Sequence, residues 1–296
     1  MARCVKIWRT PAGTLHISCA VTLFCVFQIN PAFASERPDK IGYNLFRPTP
    51  DVLMREFATD RPDKTESPFT VDAGHFQIEI DLLNYTYDRT EHESVKTLAI
   101  APVNFKVGLL NNVDLQVVAQ TYNIQWTHDR DANTRTSASG FGDLLLRCKA
   151  NLWGNDGGSI AFGVMPFVKL PTNQGDLGNR AVEGGIILPL AIQLPGAWDL
   201  GTMVELDHAQ DSESSDYHEE VIESVTLSHA LIGKVSGYVE LFSNLSTERD
   251  ADWIATFDFG FTYELWRNVQ LDAGMNVGLT EAADDLNPFV GLSVRY

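Results

Sequence analysis

Positive charge is scarce in this chain: 22 Lys and Arg stand against 39 Asp and Glu, a net charge of −17. A phosphate backbone needs a basic footprint, so nucleic acid is excluded as a partner. Cysteine is scarcer still. Cys4, Cys19 and Cys25 crowd the first 34 residues, which leaves Cys148 alone beyond them. One thiol cannot close an internal disulfide. No zinc-type Cys/His spacing, phosphate-binding glycine loop or nucleophile elbow is present, so no metal centre, cofactor or catalytic motif is expected. Long apolar runs are missing too. Beyond residue 34 nothing approaches the roughly 20 residues of a spanning helix, so any membrane insertion must come from strands.

Residues 1–34 have the grammar of a cleaved export signal. Arg3, Lys6 and Arg9 are followed by a largely apolar stretch from Leu15 to Ile29 and then by Ala32-Phe33-Ala34. Cleavage there would remove three cations and no acid, leaving a mature charge of −20. His16 and Ser18 interrupt the apolar stretch, which speaks against a permanent anchor. Neither Cys19 nor Cys25 follows a lipoprotein-type box.

What the chain does have is alternation. From Trp253 to Glu264 large apolar residues take the odd positions, and Thr256, Asp258, Gly260, Thr262 and Glu264 the even ones. Val269, Leu271, Ala273, Met275, Val277 and Leu279 repeat the pattern against Gln270, Asp272, Gly274, Asn276, Gly278 and Thr280. Soluble strands average ~5–6 residues. These match the ~9–11 that a tilted strand needs to cross a bilayer. The expected fold is all-β: an antiparallel up-and-down transmembrane barrel of about twelve strands. They fall at 75–87, 94–107, 113–126, 141–153, 158–170, 182–194, 198–209, 220–231, 234–246, 252–266, 268–280 and 287–296.

Tight turns at Asn111-Asn112, Gly154–Gly157, Pro195-Gly196, Gly233 and Arg267-Asn268 alternate with longer polar stretches. That asymmetry is the short-turn, long-loop habit of outer-membrane barrels and puts both termini at the periplasmic end. Trp153, Trp198 and Trp266 sit beside short turns, whereas Trp126 and Trp253 sit beside long loops, as two aromatic girdles would require. Pro102, Pro166 and Pro189 fall inside strands, where they predict bulges or missing ladder bonds. The apolar phase slips between Ile80 and Tyr85, and Glu223 shares a phase with Val225 and Leu227. Cys148 is expected to face lipid as a small apolar side chain.

Residues 35–74 follow no hydrophobic period and form an irregular periplasmic or plug segment ahead of the barrel at 75–296. Within them, Thr59-Asp60-Arg61-Pro62-Asp63-Lys64-Thr65-Glu66-Ser67-Pro68-Phe69-Thr70-Val71 leads into Gly74-His75-Phe76-Gln77-Ile78-Glu79. Asp60, Arg61, Pro62, Asp63, Thr65, Glu66 and Pro68 make up a rigid charged turn with cap-like acceptors. It suits either docking on the lumen wall or sealing of the periplasmic rim. This run resembles the family of outer-membrane proteins termed phenol meta-pathway degradation proteins, often labelled transporters. The motif-like part covers residues 59–79; the rest of the likeness is barrel size and an aromatic last residue. The resemblance implies a Gram-negative outer-membrane channel for aromatic or other hydrophobic compounds, reached by export and barrel-assembly machinery.

If the apolar phase faces lipid, the opposite phase lines the lumen. Pore-lining candidates are Lys96, Lys106, Arg147, Lys149, Lys169, Glu205, Glu240, Asp258, Glu264, Asp272 and Arg295. Cations cluster on strands two, four and five, and acids on strands seven and nine to eleven. Such walls either set a field across an open pore or neutralise each other in a narrow one. Leu98, Ile100, Leu145, Met165, Phe167, Ile187, Tyr238 and Phe242 share the inward phase and suggest a partly apolar passage. Ser228-His229 is the lone direct Ser-His pair, and neighbours on a strand point to opposite faces, so no enzyme is expected. Asp211, Glu213, Asp216, Glu219 and Glu220 read as solvated loop surface; a sharper alternative is divalent cations joining them to lipopolysaccharide. The expected function is passive uptake of small solutes across the outer membrane. A channel for acidic oligosaccharides or other anions, a structural or adhesive barrel and, last, a lipid hydrolase are the alternatives.

Overall fold

The computed structural model describes residues 39–296 except Asp176 and Glu213; the export signal expected over residues 1–34 lies outside the described residues. Fifteen strand segments make one antiparallel sheet. They are β1 (Phe76–Arg89), β2 (Glu93–Ile100), β3 (Val103–Leu110), β4 (Val113–Ala119), β5 (Tyr122–Asp129), β6 (Thr134–Gly140), β7 (Leu144–Trp153) and β8 (Ile160–Leu170). β9 (Glu183–Leu194), β10 (Trp198–Gln210), β11 (Tyr217–Ile232), β12 (Val235–Ser246), β13 (Ile254–Trp266), β14 (Val269–Gly278) and β15 (Leu286–Arg295) complete it. β1 pairs with β15 from Gln77↔Arg295 to Tyr87↔Leu286, which closes the sheet into a barrel. Phe76 and Tyr296 exchange backbone hydrogen bonds of 3.0 and 2.8 Å across that seam. The barrel has twelve strands, because β2–β3, β4–β5 and β6–β7 are each two halves of one interrupted strand.

Alternation decides which face each residue takes. Between β13 and β14, Phe257, Phe259 and Phe261 pair with Val277, Met275 and Ala273 on the outer face. Asp258 and Thr262 pair with Asn276 and Asp272 on the inner one, where Asp258 is fully buried. All five described tryptophans are exposed on the outside. Cys148 pairs with outward Leu115. Pro166 and Pro189 interrupt the β7–β8–β9 ladders: no pairs form between Arg147↔Phe167 and Ala150↔Val164, or between Phe162↔Leu190 and Met165↔Ile187. Proline offers no N–H to those positions.

The first four strands share a line of breaks. β1 bulges between Asp81 and Leu83, β2–β3 breaks at Ala101-Pro102, β4–β5 at Gln120-Thr121 and β6–β7 at residues 141–143. Pro102 cannot extend a ladder, and Ala101 takes a left-handed φ of 55° beside it. The freed carbonyls are not orphaned. Pro102 accepts from Asp81 N at 2.9 Å, and the Thr121 hydroxyl donates to Ile100 and Ala101 at 2.6 and 2.8 Å. Each break shifts the phase by one residue, which moves every later side chain to the other face. Lys96, Leu98 and Ile100, expected inside, therefore face outward. Lys96 pairs with Tyr87 and Trp126 and lies over the Tyr87 ring at 5.7 Å. The slip between Ile80 and Tyr85 has the same cause.

Beyond the breaks, β6 pairs among the strands with β5 alone. Its C-terminal end is met by the 171–181 loop, where Gln174 N donates to Phe141 O at 2.9 Å. Asn173 Nδ2 and Asn179 N bond the Asp143 carboxylate at 2.8 and 2.6 Å. The wall is closed here by a loop instead of a strand. Glu223 stands on the outer face between Val204 and Ser243.

Candidate functional site

The segment from Asp39 to His75 fills the lumen. It starts at the short-turn end, where Lys40 Nζ reaches Asp156 at 2.7 Å and Asp72 at 3.2 Å. Arg55 ties the same corner together, with Nη2 2.8 Å from Asn111 O and 3.3 Å from Asp156. The chain climbs to an apex at residues 61–66 and returns through Thr70 and Val71, whose amides donate to Asn155 and Asp114 at 3.1 and 2.9 Å. Gly74 then turns into β1 with φ 76°, a conformation that suits glycine, and a Cβ there would strike Pro48. None of Lys40, Arg55, Asp72 or Asp156 stands out in the sequence, since their partners lie on distant turns.

The apex residues sort themselves by wall. Asp60 turns to the cationic side, bonding Lys149 at 2.5 Å and Lys106, which also contacts Glu79. Burial alone would raise the Asp60 pKa, but Lys106 and Lys149 outweigh it and hold the carboxyl well below its ordinary range. Arg61 turns to the acidic side, 2.6 Å from Asp272 and 2.5 Å from Asp81. Gly291 makes this possible, because a Cβ at that position would occupy the Arg61 guanidinium. Lys64 Nζ lies 3.2 Å from Asp258 and over the Phe242 ring at 4.3 Å. The Lys64 and Thr65 amides both donate to Glu240, at 2.9 and 2.8 Å, and the Thr65 and Ser224 hydroxyls meet at 2.6 Å. Glu66 bonds Arg147 at 2.6 Å. Pro68 O accepts from Asn151 at 2.9 Å.

The charged motif thus docks on the wall, and the two walls are neutralised through it. Lys106, Arg147, Lys149, Glu240, Asp258 and Asp272 all engage plug residues. Arg295 lies buried beside Asp72 and the Phe57 ring. Lys169 pairs with Glu183 at 3.6 Å, and Glu205 continues the inward phase of Met203. Glu264 keeps the inward phase but sits exposed at the short-turn rim. Lys96 is the displaced member of the set, for the reason given above.

Apolar side chains line the wall facing the apex. Met165, Ile187 and Met203 are buried together, with Phe167, Ile222 and Phe242 packed on them. Sequence phase exposes four of these; Met203 and Ile222 were hidden by the polar company they keep. Leu145 shares the inner face, pairing with Lys169. Two cavities flank the apex. One of about 490 Å³ lies toward the short-turn end, between the plug and β8–β13, and includes Asp63, Pro62, Tyr238 and Ser228. The other, about 340 Å³, opens toward the long loops and is lined by Lys64, Phe242, Thr256, Asn276, Asp284 and Asn287. Ser228 and His229 diverge: Ser228 borders the inner cavity, while His229 stacks on outward Trp198 at 4.5 Å.

Among solved structures, the COG4313 outer membrane channel from Pseudomonas putida F1 is similar over 81% of this chain and 100% of its own, with 14% identity and a TM-score of 0.53. The translocator domain of the autotransporter NalP from Neisseria meningitidis aligns over 75% of this chain and 88% of its own, at 10% identity and a TM-score of 0.44. OmpT of Vibrio cholerae, with loop L8 deleted, covers 75% and 98% at 9% identity and a TM-score of 0.41. No curated protein matches the sequence. The family model described as "Putative MetA-pathway of phenol degradation" matches residues 59–296, from the plug motif to the last strand, and the chain belongs to that family.

Proposed function

We propose that the protein is an outer-membrane channel for passive entry of small solutes, with aromatic or hydrophobic compounds as its favoured class. The carrying observation is the arrangement along the lumen: two cavities separated by a docked plug whose apex faces the Met165–Ile187–Met203 cluster. A wide aqueous pore has no use for that apolar patch, whereas a small ring compound gains from contact with it. The family description and the likeness to a solved outer-membrane channel agree with this reading. Selective conduction of anions has less support, because the inward cations Lys106, Arg147 and Lys149 are each spoken for by plug carboxylates.

A second route has its own support. The breaks in the first four strands leave β6 closed off by the 171–181 loop, with exposed Phe141 at the join. Apolar solutes could leave the lumen sideways there, into the bilayer. Planar-bilayer recording of residues 35–296, with and without residues 35–72, tests the proposal. Small steps in the full chain, enlarged on truncation and blocked by added aromatic solute, are expected. Silence in both forms would remove the axial channel and leave the lateral route, which liposome uptake of a fluorescent apolar probe would report.

A further inference from the structure

Away from the lumen, one side-chain cluster at the long-loop end has the composition of a metal site. Asp211 follows β10, His218 opens β11 and Glu248 lies in the connection from β12 to β13. One ligand atom from each lies within 4.8 Å of the others. His218 is buried, unlike the exposed His92 and His208. Its Nδ1 lies 2.9 Å from Asp211 Oδ1, and its Nε2 3.3 Å from Glu220 Oε1.

Two further observations point beyond an ordinary ion pair. First, three carboxylates surround one imidazole, and among the described residues none of Asp211, Glu220 or Glu248 has a Lys or Arg within 4.0 Å. Such a concentration of negative charge calls for a cation. Second, the surroundings hold the carboxylates in place. Ser212 donates to Glu248 Oε1 from its amide at 2.7 Å and its hydroxyl at 2.6 Å. Asn244 donates to Glu220 at 3.1 Å, while its own carbonyl oxygen is buried without a protein partner. Outer hydrogen bonds of this kind orient ligands in metal sites.

We propose that Asp211, His218 and Glu248, backed by Glu220, bind one divalent transition-metal ion of the zinc class. Imidazole with carboxylate oxygens suits Zn²⁺; Ca²⁺ and Mg²⁺ prefer oxygen alone. The ion would join the 211–216 loop to the 247–253 loop at the channel mouth. It is distinct from a cation bridge to lipopolysaccharide, because all its ligands come from this chain.

Calorimetric titration of the refolded full-length barrel in detergent with ZnCl₂ tests the site. One saturable equivalent per chain is expected, weakened about tenfold or more by His218→Ala and by Glu248→Gln, and unchanged by His208→Ala. Heat-modifiable gel migration checks that each variant is folded. Glu248→Gln leaves the His218 hydrogen bonds intact and serves if His218→Ala fails to fold. No saturable step in the parent, a step that persists in both variants, or equal loss in His208→Ala would each overturn the proposal.

Discussion

Asp60 Oδ1 and Lys149 Nζ meet at 2.5 Å inside the barrel, one from the plug and one from β7, 89 residues apart in the chain. Both are buried, so neither charge is tolerated without a partner, and Asp60 is shared between Lys149 and Lys106. The contact makes the plug part of the wall's electrostatics, and it can be tested as such.

Asp60→Ala should take from buried Lys149 the one carboxylate paired with it within 4.0 Å among the described residues, whereas Lys106 keeps Glu79. A loss of about 3 kcal/mol in plug docking is expected, at the low end for breaking a buried pair. Single-channel recording should show larger or more frequent openings, and proteolysis should cut the released segment.

Gly291→Ala should mimic Arg61→Ala, because the added methyl group claims the space of the Arg61 guanidinium. Both act by removing the same guanidinium from Asp272 and Asp81, so the double variant should be no worse than either single one. Additive effects on conductance or on the unfolding midpoint would contradict the geometry.

The Asp60 contacts to Lys106 and Lys149 should withstand acid over the ordinary range, whereas burial raises the carboxyls of Asp63 and Glu66 on the same apex. The Asp60 carboxyl is held below its unfolded value, so its contribution is full above the ordinary carboxylate range near ~3.9 and is lost only as pH falls through the lower folded value. The difference in open probability between the parent and Asp60→Ala should therefore be the same at pH 8 and pH 5. A difference that shrinks between those values would count against the assignment.

Thr65 and Ser224 hydroxyls lie 2.6 Å apart, which invites a covalent lock. Thr65→Cys with Ser224→Cys, in a Cys148→Ser background, should form a disulfide that abolishes solute uptake if the plug must move and leaves it unchanged if solutes pass around a fixed plug. Reduction should restore uptake in the first case.

Glu223 carries a carboxylate on the lipid side of β11, beside Val204 and Ser243. Glu223→Val should stabilise the folded barrel in vesicles by up to about 2 kcal/mol, since acids on the lipid face cost somewhat less than midplane cations. Urea unfolding by tryptophan fluorescence measures it.

Much of this architecture was decided by local pattern. Period-two alternation in β13 and β14, turn residues at Asn111-Asn112 and Gly233, and tryptophans at strand ends are written along the chain, because inward and outward positions face different solvents. Strand number and the inward placement of Lys106, Arg147, Lys149, Asp258 and Asp272 followed from that. Docking of Asp60, Arg61 and Lys64 did not: it depends on which wall each meets after the chain closes, and those partners lie 20 to 211 residues away, as Asp81 and Asp272 show for Arg61. Lys96 went astray because a bulge displaces phase by one residue, and alternation cannot say on which side of Pro102 the shift falls. The His218 cluster was half hidden for a related reason: Asp211 and Glu220 read as an acidic surface open to divalent cations, but nothing joined them to His218 and Glu248. Its ligands come from three elements, with no common spacing, and only the packing of adjacent loops brings them together.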